Sequence, residues 1–72
     1  MQLISVNTST KELIIKSDDG KLILYDIVFP DLLDPLEVAS TIKHEFTIHQ
    51  DIHSIGRILL KHGVEISLNR VY

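Results

Sequence analysis

Cysteine is absent from this 72-residue chain, so neither a disulfide bond nor a thiolate metal site can stabilise it. No apolar run approaches the roughly 18 residues that suggest a membrane-spanning helix. The first residues, 1–6, have neither the basic stretch nor the small-residue cleavage site of a signal peptide. We therefore expect a cytoplasmic protein that does not insert into a membrane.

Catalytic motifs are missing as well. No serine lies in a Gly-x-Ser-x-Gly turn, and no glycine-rich phosphate loop is present. The carboxylate pairs Asp18/Asp19 and Asp31/Asp34 lie at a predicted turn and a predicted helix cap, where structural roles already explain them. We expect no enzymatic activity, no cofactor and no small-molecule substrate.

What the chain has in abundance is aliphatic residues, with 11 Ile, 10 Leu and 5 Val. This content excludes disorder, which requires low hydrophobicity and high net charge. The length corresponds to a single domain, residues 1–72, which buries only about 60 % of its unfolded surface. An Ile-rich composition in so small a chain is typical of phage or mobile-element accessory proteins. The formal net charge of −3 argues against a generic nucleic-acid binder.

A β-meander is predicted for residues 2–29, with strands over 2–6, 11–17 and 21–29. The Asp19-Gly20 pair between the second and third strands predicts a hairpin with a type I′ turn. The third strand is apolar on both faces. One face carries Leu22, Leu24 and Val28, and the other carries Ile23, Tyr25, Ile27 and Phe29. Such a strand is either covered on both sides or has one side that belongs to a partner.

A helical pair is predicted for residues 35–62. Asp34 at the N-cap, Pro35 at the first position and Glu37 two residues later predict that a helix begins at Pro35. Thr47 and Gln50 form a second capping box, which predicts a second helix after a very short break. The predicted buried positions are Val38, Ala39, Ile42 and Phe46 on the first helix and Ile48, Ile52, Ile55 and Leu59 on the second.

Gly63 follows two basic residues and predicts the end of the second helix. Alternating apolar residues then predict a C-terminal strand over 64–72. The predicted order is β-β-β-α-α-β. The fold class is a small α+β domain, an antiparallel sheet with two helices packed on one face.

Two features of the second helix raise functional questions. His49 and His53 are four residues apart, a spacing that can bind zinc. A third protein ligand is missing, and Gln50 stands where metalloproteases carry glutamate, so we expect solvent-facing histidines and no metal site.

The second feature is a row of polar and basic residues, which are His49, His53, Arg57 and Lys61 with Gln50 and Ser54 beside them. Residues 37–39, residues 51–63 and the strand that follows resemble the helix, recognition helix and wing of a winged-helix domain. The resemblance implies DNA binding through helix 49–62. The sequence departs from that pattern because the break at residues 46–48 lacks glycine and strands replace the first helix.

The leading prediction rests on the surplus of apolar residues, because a chain this small has too few elements to cover them all. It is a non-enzymatic protein-binding module, an inhibitor or regulator that docks an apolar sheet face on a protein partner or on a second copy of itself. The interface candidates are Leu22, Leu24, Tyr25, Ile27, Val28, Phe29, Ile58 and Leu60. The alternative is a winged-helix-like DNA-binding regulator.

Overall fold

The computed structural model describes all 72 residues and confirms the predicted fold class. Four antiparallel strands form one sheet in the order β1-β2-β3-β4, and two helices are inserted between β3 and β4. The elements are β1 (Gln2–Asn7), β2 (Glu12–Lys16), β3 (Leu22–Val28), α1 (Pro35–Ile48), α2 (Ile52–Lys61) and β4 (Glu65–Val71). The first three strands therefore form the meander, and β4 returns to pair with β3.

Two turns join the strands of the meander. In the β1–β2 turn, the Asn7 side chain accepts hydrogen bonds from the amides of Ser9 and Thr10. The β2–β3 hairpin is present, but its turn is not the predicted type I′. Gly20 has φ 86°, its amide donates to Ser17, and Asp19 does not have a positive φ. The Asp19 carboxylate accepts the Ser17 hydroxyl and the Lys21 amide, which favours a three-residue loop with glycine in the left-handed region.

The caps of the helices follow the sequence signals in two places. The Asp34 carboxylate accepts the Leu36 amide at 3.0 Å, and Pro35 occupies the first helical position, as predicted. Gly63 ends α2 with φ 81°. The amides of Gly63 and Val64 donate to the carbonyls of Leu60 and Leu59, the double bond pattern of a Schellman motif.

The boundary between the helices differs from the prediction. The helix α1 continues through Ile48, and the Thr47 hydroxyl bonds back to the His44 carbonyl instead of capping a new helix. Asp51 is the N-cap of α2 and accepts the amide of His53. His49 caps the end of α1 and so does not belong to α2.

The core lies between one face of the sheet and the two helices. It is formed by Leu13, Ile15, Ile27, Phe29, Val38, Ile42, Ile55, Leu59 and Val64. The helices contact each other, α1 contacts β1 and α2 contacts β4, so both cover the same face. Of the predicted helical core positions, Ile48 is instead exposed, while Ala39, Phe46 and Ile52 are half-buried.

Candidate functional site

The sheet has one face without a covering layer. Leu22, Leu24 and Val28 alternate along β3 with Ile23, Tyr25 and Ile27, which pack into or against the core on the helix side. The register therefore shows which side of β3 the helices leave uncovered. The side of β3 that carries Leu22, Leu24 and Val28 points away from the helices.

Neighbouring strands extend this apolar surface. Ile14 on β2 lies directly opposite Leu24, and the β-bulge between Leu3 and Ser5 turns Ile4 to the same side. We call Ile4, Ile14, Leu22, Leu24 and Val28 the open sheet face. Ile4 is 47 % exposed, Leu22 40 % and Val28 54 %, whereas Leu24 is 7 % exposed because neighbouring side chains surround it.

Charged residues also lie on the open side of the sheet. Glu12 pairs with Asp26 in the next cross-strand row, and the Asn69 Nδ2 donates to both carboxylate oxygens of Asp26 at 3.0 and 3.1 Å. The acidic row therefore crosses the face between Leu24 and Val28, while Lys16 lies opposite Leu22 and Arg70 lies opposite Leu24.

Three predicted interface residues are buried, namely Leu24 on the open side and Ile27 and Phe29 on the covered side. Ile27 is 1 % exposed and Phe29 8 %, and both belong to the core. They cannot contact a partner in this fold, because they lie on the side of β3 that the helices cover. The signal in the sequence was Asp26, which alternates with Leu22, Leu24 and Val28 and so marks their side of β3 as the solvent-facing one.

The other predicted residues line depressions on the helix side. Tyr25 and Leu60 belong to a groove of about 430 Å³ between α2 and β4, which we call the α2–β4 groove. Burial raises the pKa of the Tyr25 phenol above its usual value. The remaining lining residues of the groove are Ile52, His53, Gly56, Arg57, Glu65, Ile66 and Leu68.

The predicted nucleic-acid face is only partly assembled. His49, Ser54, Arg57 and Lys61 line one shallow depression of about 280 Å³ together with Ile58. His53 instead lines the α2–β4 groove, and Gln50 is exposed between the helices without lining either depression. The depression holds two permanent cations, and its only aromatic ring is the imidazole of His49.

Metal binding finds no geometric support at His49 and His53. The helix break places the first histidine at the end of α1 and the second in the first turn of α2. No group of three or more His, Asp or Glu side chains in the chain is arranged to hold a metal ion. No helix is long and apolar enough to cross a lipid bilayer.

Sequence reasoning missed several residues of these surfaces. Ile4 joins the open sheet face only because a bulge interrupts the alternation of β1. Leu68 and Val71 are exposed on the helix side of β4, at 61 % and 51 %, although the alternation of that strand places Leu68 on its apolar side. A period-two pattern identifies one apolar side of a strand but not how far the helices extend over it.

A buried carboxylate was also missed. Glu45 shares a face of α1 with Val38 and Ile42 and is only 9 % exposed, and its Oε2 has no hydrogen-bond partner. Its position seven residues after Val38 is the signal that could have identified it.

Comparison with protein-family models, with curated proteins and with solved structures finds no match.

Proposed function

We propose that this chain is a small non-enzymatic protein-binding module that docks its open sheet face on a protein partner and acts as an inhibitor or regulator of the phage or mobile-element accessory type. The observation that carries the proposal is the set of exposed apolar side chains Ile4, Leu22 and Val28, on a sheet face that no helix covers. Exposed apolar residues that lie together on one face are typical of protein interfaces. Inhibition by docking requires only shape complementarity and occlusion of the partner, with no chemical step.

The charged residues on the face define the chemistry of the partner. Glu12 and Asp26 form an acidic cross-strand row beside the apolar residues. A partner that fits this surface presents an aliphatic patch with basic residues on the side that meets this row. Aliphatic burial gives the affinity, and the acidic row sets the orientation.

The test compares variants of the open sheet face with a matched control. Leu22→Lys and Val28→Lys place a charge on exposed positions of the face, and Leu36→Lys places the same charge on α1, where the side chain is 79 % exposed. The wild-type chain is used at high salt to isolate a bound protein from its host cells. That protein is then purified, and its Kd is measured against all four chains.

We expect each face variant to raise the Kd by about tenfold or more, since the charge must be desolvated in the complex. Leu36→Lys should leave the Kd unchanged, and circular dichroism should show that all variants are folded. The proposal is wrong if Leu36→Lys weakens binding as much as the face variants do, or if no protein binds at high salt.

A nucleic-acid function is the second candidate, because Arg57, Lys61, His49 and Ser54 share one depression. Under this alternative, Arg57→Ala and Lys61→Ala each weaken nucleic-acid binding. Each also reduces the slope of log K against log salt concentration by roughly one unit. Nucleic acid that elutes with the chain at low salt and is lost at high salt favours the alternative. The same substitutions leave partner binding intact if the open sheet face is the functional surface.

A further inference from the structure

Strand β4 is an edge of the sheet, and its outer side carries backbone groups that no other strand pairs. The direction of these groups follows from the hydrogen bonds of β3. The Ile27 amide donates to Lys11 on the β2 side, so the flanking residues Asp26 and Val28 turn their backbone groups towards β4. Their register partners on β4 are Ser67 and Glu65, which consequently bond to β3.

Three residues of β4 are left with backbone groups that face outwards. Ile66 and Leu68 alternate with Glu65 and Ser67 and so turn to the free edge. At the end of the strand, the Tyr72 amide donates to Leu22, which leaves the preceding residue, Val71, turned outwards. The free edge of β4 therefore presents the N–H and C=O groups of Ile66, Leu68 and Val71.

We propose that this edge pairs with β4 of a second copy of the chain, antiparallel about a two-fold axis at Leu68. In this register Leu68 pairs with Leu68 of the second copy, and Ile66 pairs with its Val71. Every outward-facing backbone group of the strand then has a partner. The interface is isologous and closes as a dimer with one continuous eight-stranded sheet.

The β-bulge of β4 allows apolar side chains of the two copies to lie opposite one another in this register. The register shift between Leu24 and Tyr25 leaves Asn69 as an extra residue, so Leu68 and Val71 have their side chains on the same face of the sheet. The pairs across the axis therefore join apolar side chains on the helix side. If the pairing slipped by one residue, polar side chains would face apolar ones.

Two further observations favour a second copy as the occupant. Leu68 and Val71 are 61 % and 51 % exposed, and the α2–β4 groove beside them is lined by Ile52, Leu60 and Ile66. Apolar side chains of the second copy are thus brought against an apolar groove. On the opposite face of the sheet, Glu65 of one copy and Arg70 of the other copy become diagonal neighbours. The two-fold symmetry forms this pair of opposite charges twice.

The first experiment measures mass and amide protection together. Light scattering at increasing concentration should give twice the monomer mass of 8.2 kDa. Hydrogen exchange followed by NMR should show slow exchange for the amides of Ile66, Leu68 and Val71 in the dimer, and fast exchange on dilution to the monomer. A monomer at the highest soluble concentration would overturn the proposal, as would a dimer in which these three amides exchange freely.

The second experiment removes one backbone donor at the axis. Leu68→Pro deletes an amide that β3 does not use, and proline is tolerated on an edge strand whose N–H faces solvent. The dissociation constant of the dimer should rise by about tenfold or more, because both copies lose a hydrogen bond at the axis. The control Leu68→Thr keeps the backbone amide and should raise the dissociation constant of the dimer less. Equal dissociation constants for wild type and Leu68→Pro would refute the proposed register. If the proline variant fails to fold, the hydrogen exchange of the wild-type amides tests the register instead.

Discussion

Glu45 is a charged residue in a buried, apolar environment. It lies on the buried face of α1 with Val38 and Ile42, and its Oε2 has no hydrogen-bond partner. A buried polar atom without a partner costs about 1–3 kcal/mol. Glu45→Leu should therefore raise the free energy of unfolding by about 1 kcal/mol or more. Urea denaturation measures this change, with Lys43→Leu at an exposed position in the middle of α1 as the control expected within about 0.5 kcal/mol of wild type.

Asp51, at the start of α2, makes the stability of the fold depend on pH. The backbone amide of His53 and the hydroxyl of Ser54 donate to its carboxylate and hold its pKa below the ordinary 3.8. A lowered pKa in the folded state gives stability that is present above the unfolded pKa and is lost as the pH falls through the folded pKa.

Asp51→Asn keeps the N-cap acceptor but removes this titration. The free energy of unfolding of the variant should therefore fall less steeply than that of wild type as the pH decreases below 3.8. Urea denaturation from about pH 5 to about pH 2 gives the two curves. Parallel curves would show that the carboxylate makes no such contribution.

At the scale of elements, two glycines that flank the second half of α2 should respond to alanine in opposite directions. Gly63 has φ 81°, where an L-residue is strained, so Gly63→Ala should lower the free energy of unfolding by about 1–2 kcal/mol. Gly56 lies inside the helix, and a Cβ there would meet Ile66 at an ordinary 3.8 Å. Gly56→Ala should raise stability by about 0.5–1 kcal/mol. Thermal unfolding of both variants checks the pair, and a shift of the same sign in both would contradict the argument.

The boundary between α1 and α2 shows how far capping signals predict an element. Thr47 with Gln50 and Asp51 with Ser54 are both plausible starts for the second helix. The earlier signal is not used, because α1 extends through Ile48 and Thr47 bonds back to its own helix. Local sequence therefore predicts two helices with a short break but not the residue at which the second begins.

For the whole molecule, the two proposed surfaces should be separable. Val28 points to the open sheet face, while the Leu68 amide lies at the β4 edge. We expect Val28→Lys to abolish partner binding at unchanged dimer mass, and Leu68→Pro to yield a folded monomer that still binds the partner. Light scattering and partner Kd on the same two preparations measure both properties. If each substitution impaired both properties, the open sheet face and the edge would belong to a single interface.

The sequence by itself determined the number, type and order of the elements. Asp34 and Pro35 define the start of α1, Gly63 defines the end of α2, and apolar alternation identifies the strands, because each signal depends only on local backbone and side-chain geometry. Only the tertiary structure decided which side of β3 is open. The sides of Leu24 and Tyr25 are both largely apolar, and only Asp26, on the side of Leu24, distinguishes them. The helices cover the side of Tyr25 through packing between residues that are far apart in the chain. The same long-range pairing places β4 at an edge and buries Glu45, and no local pattern encodes either result.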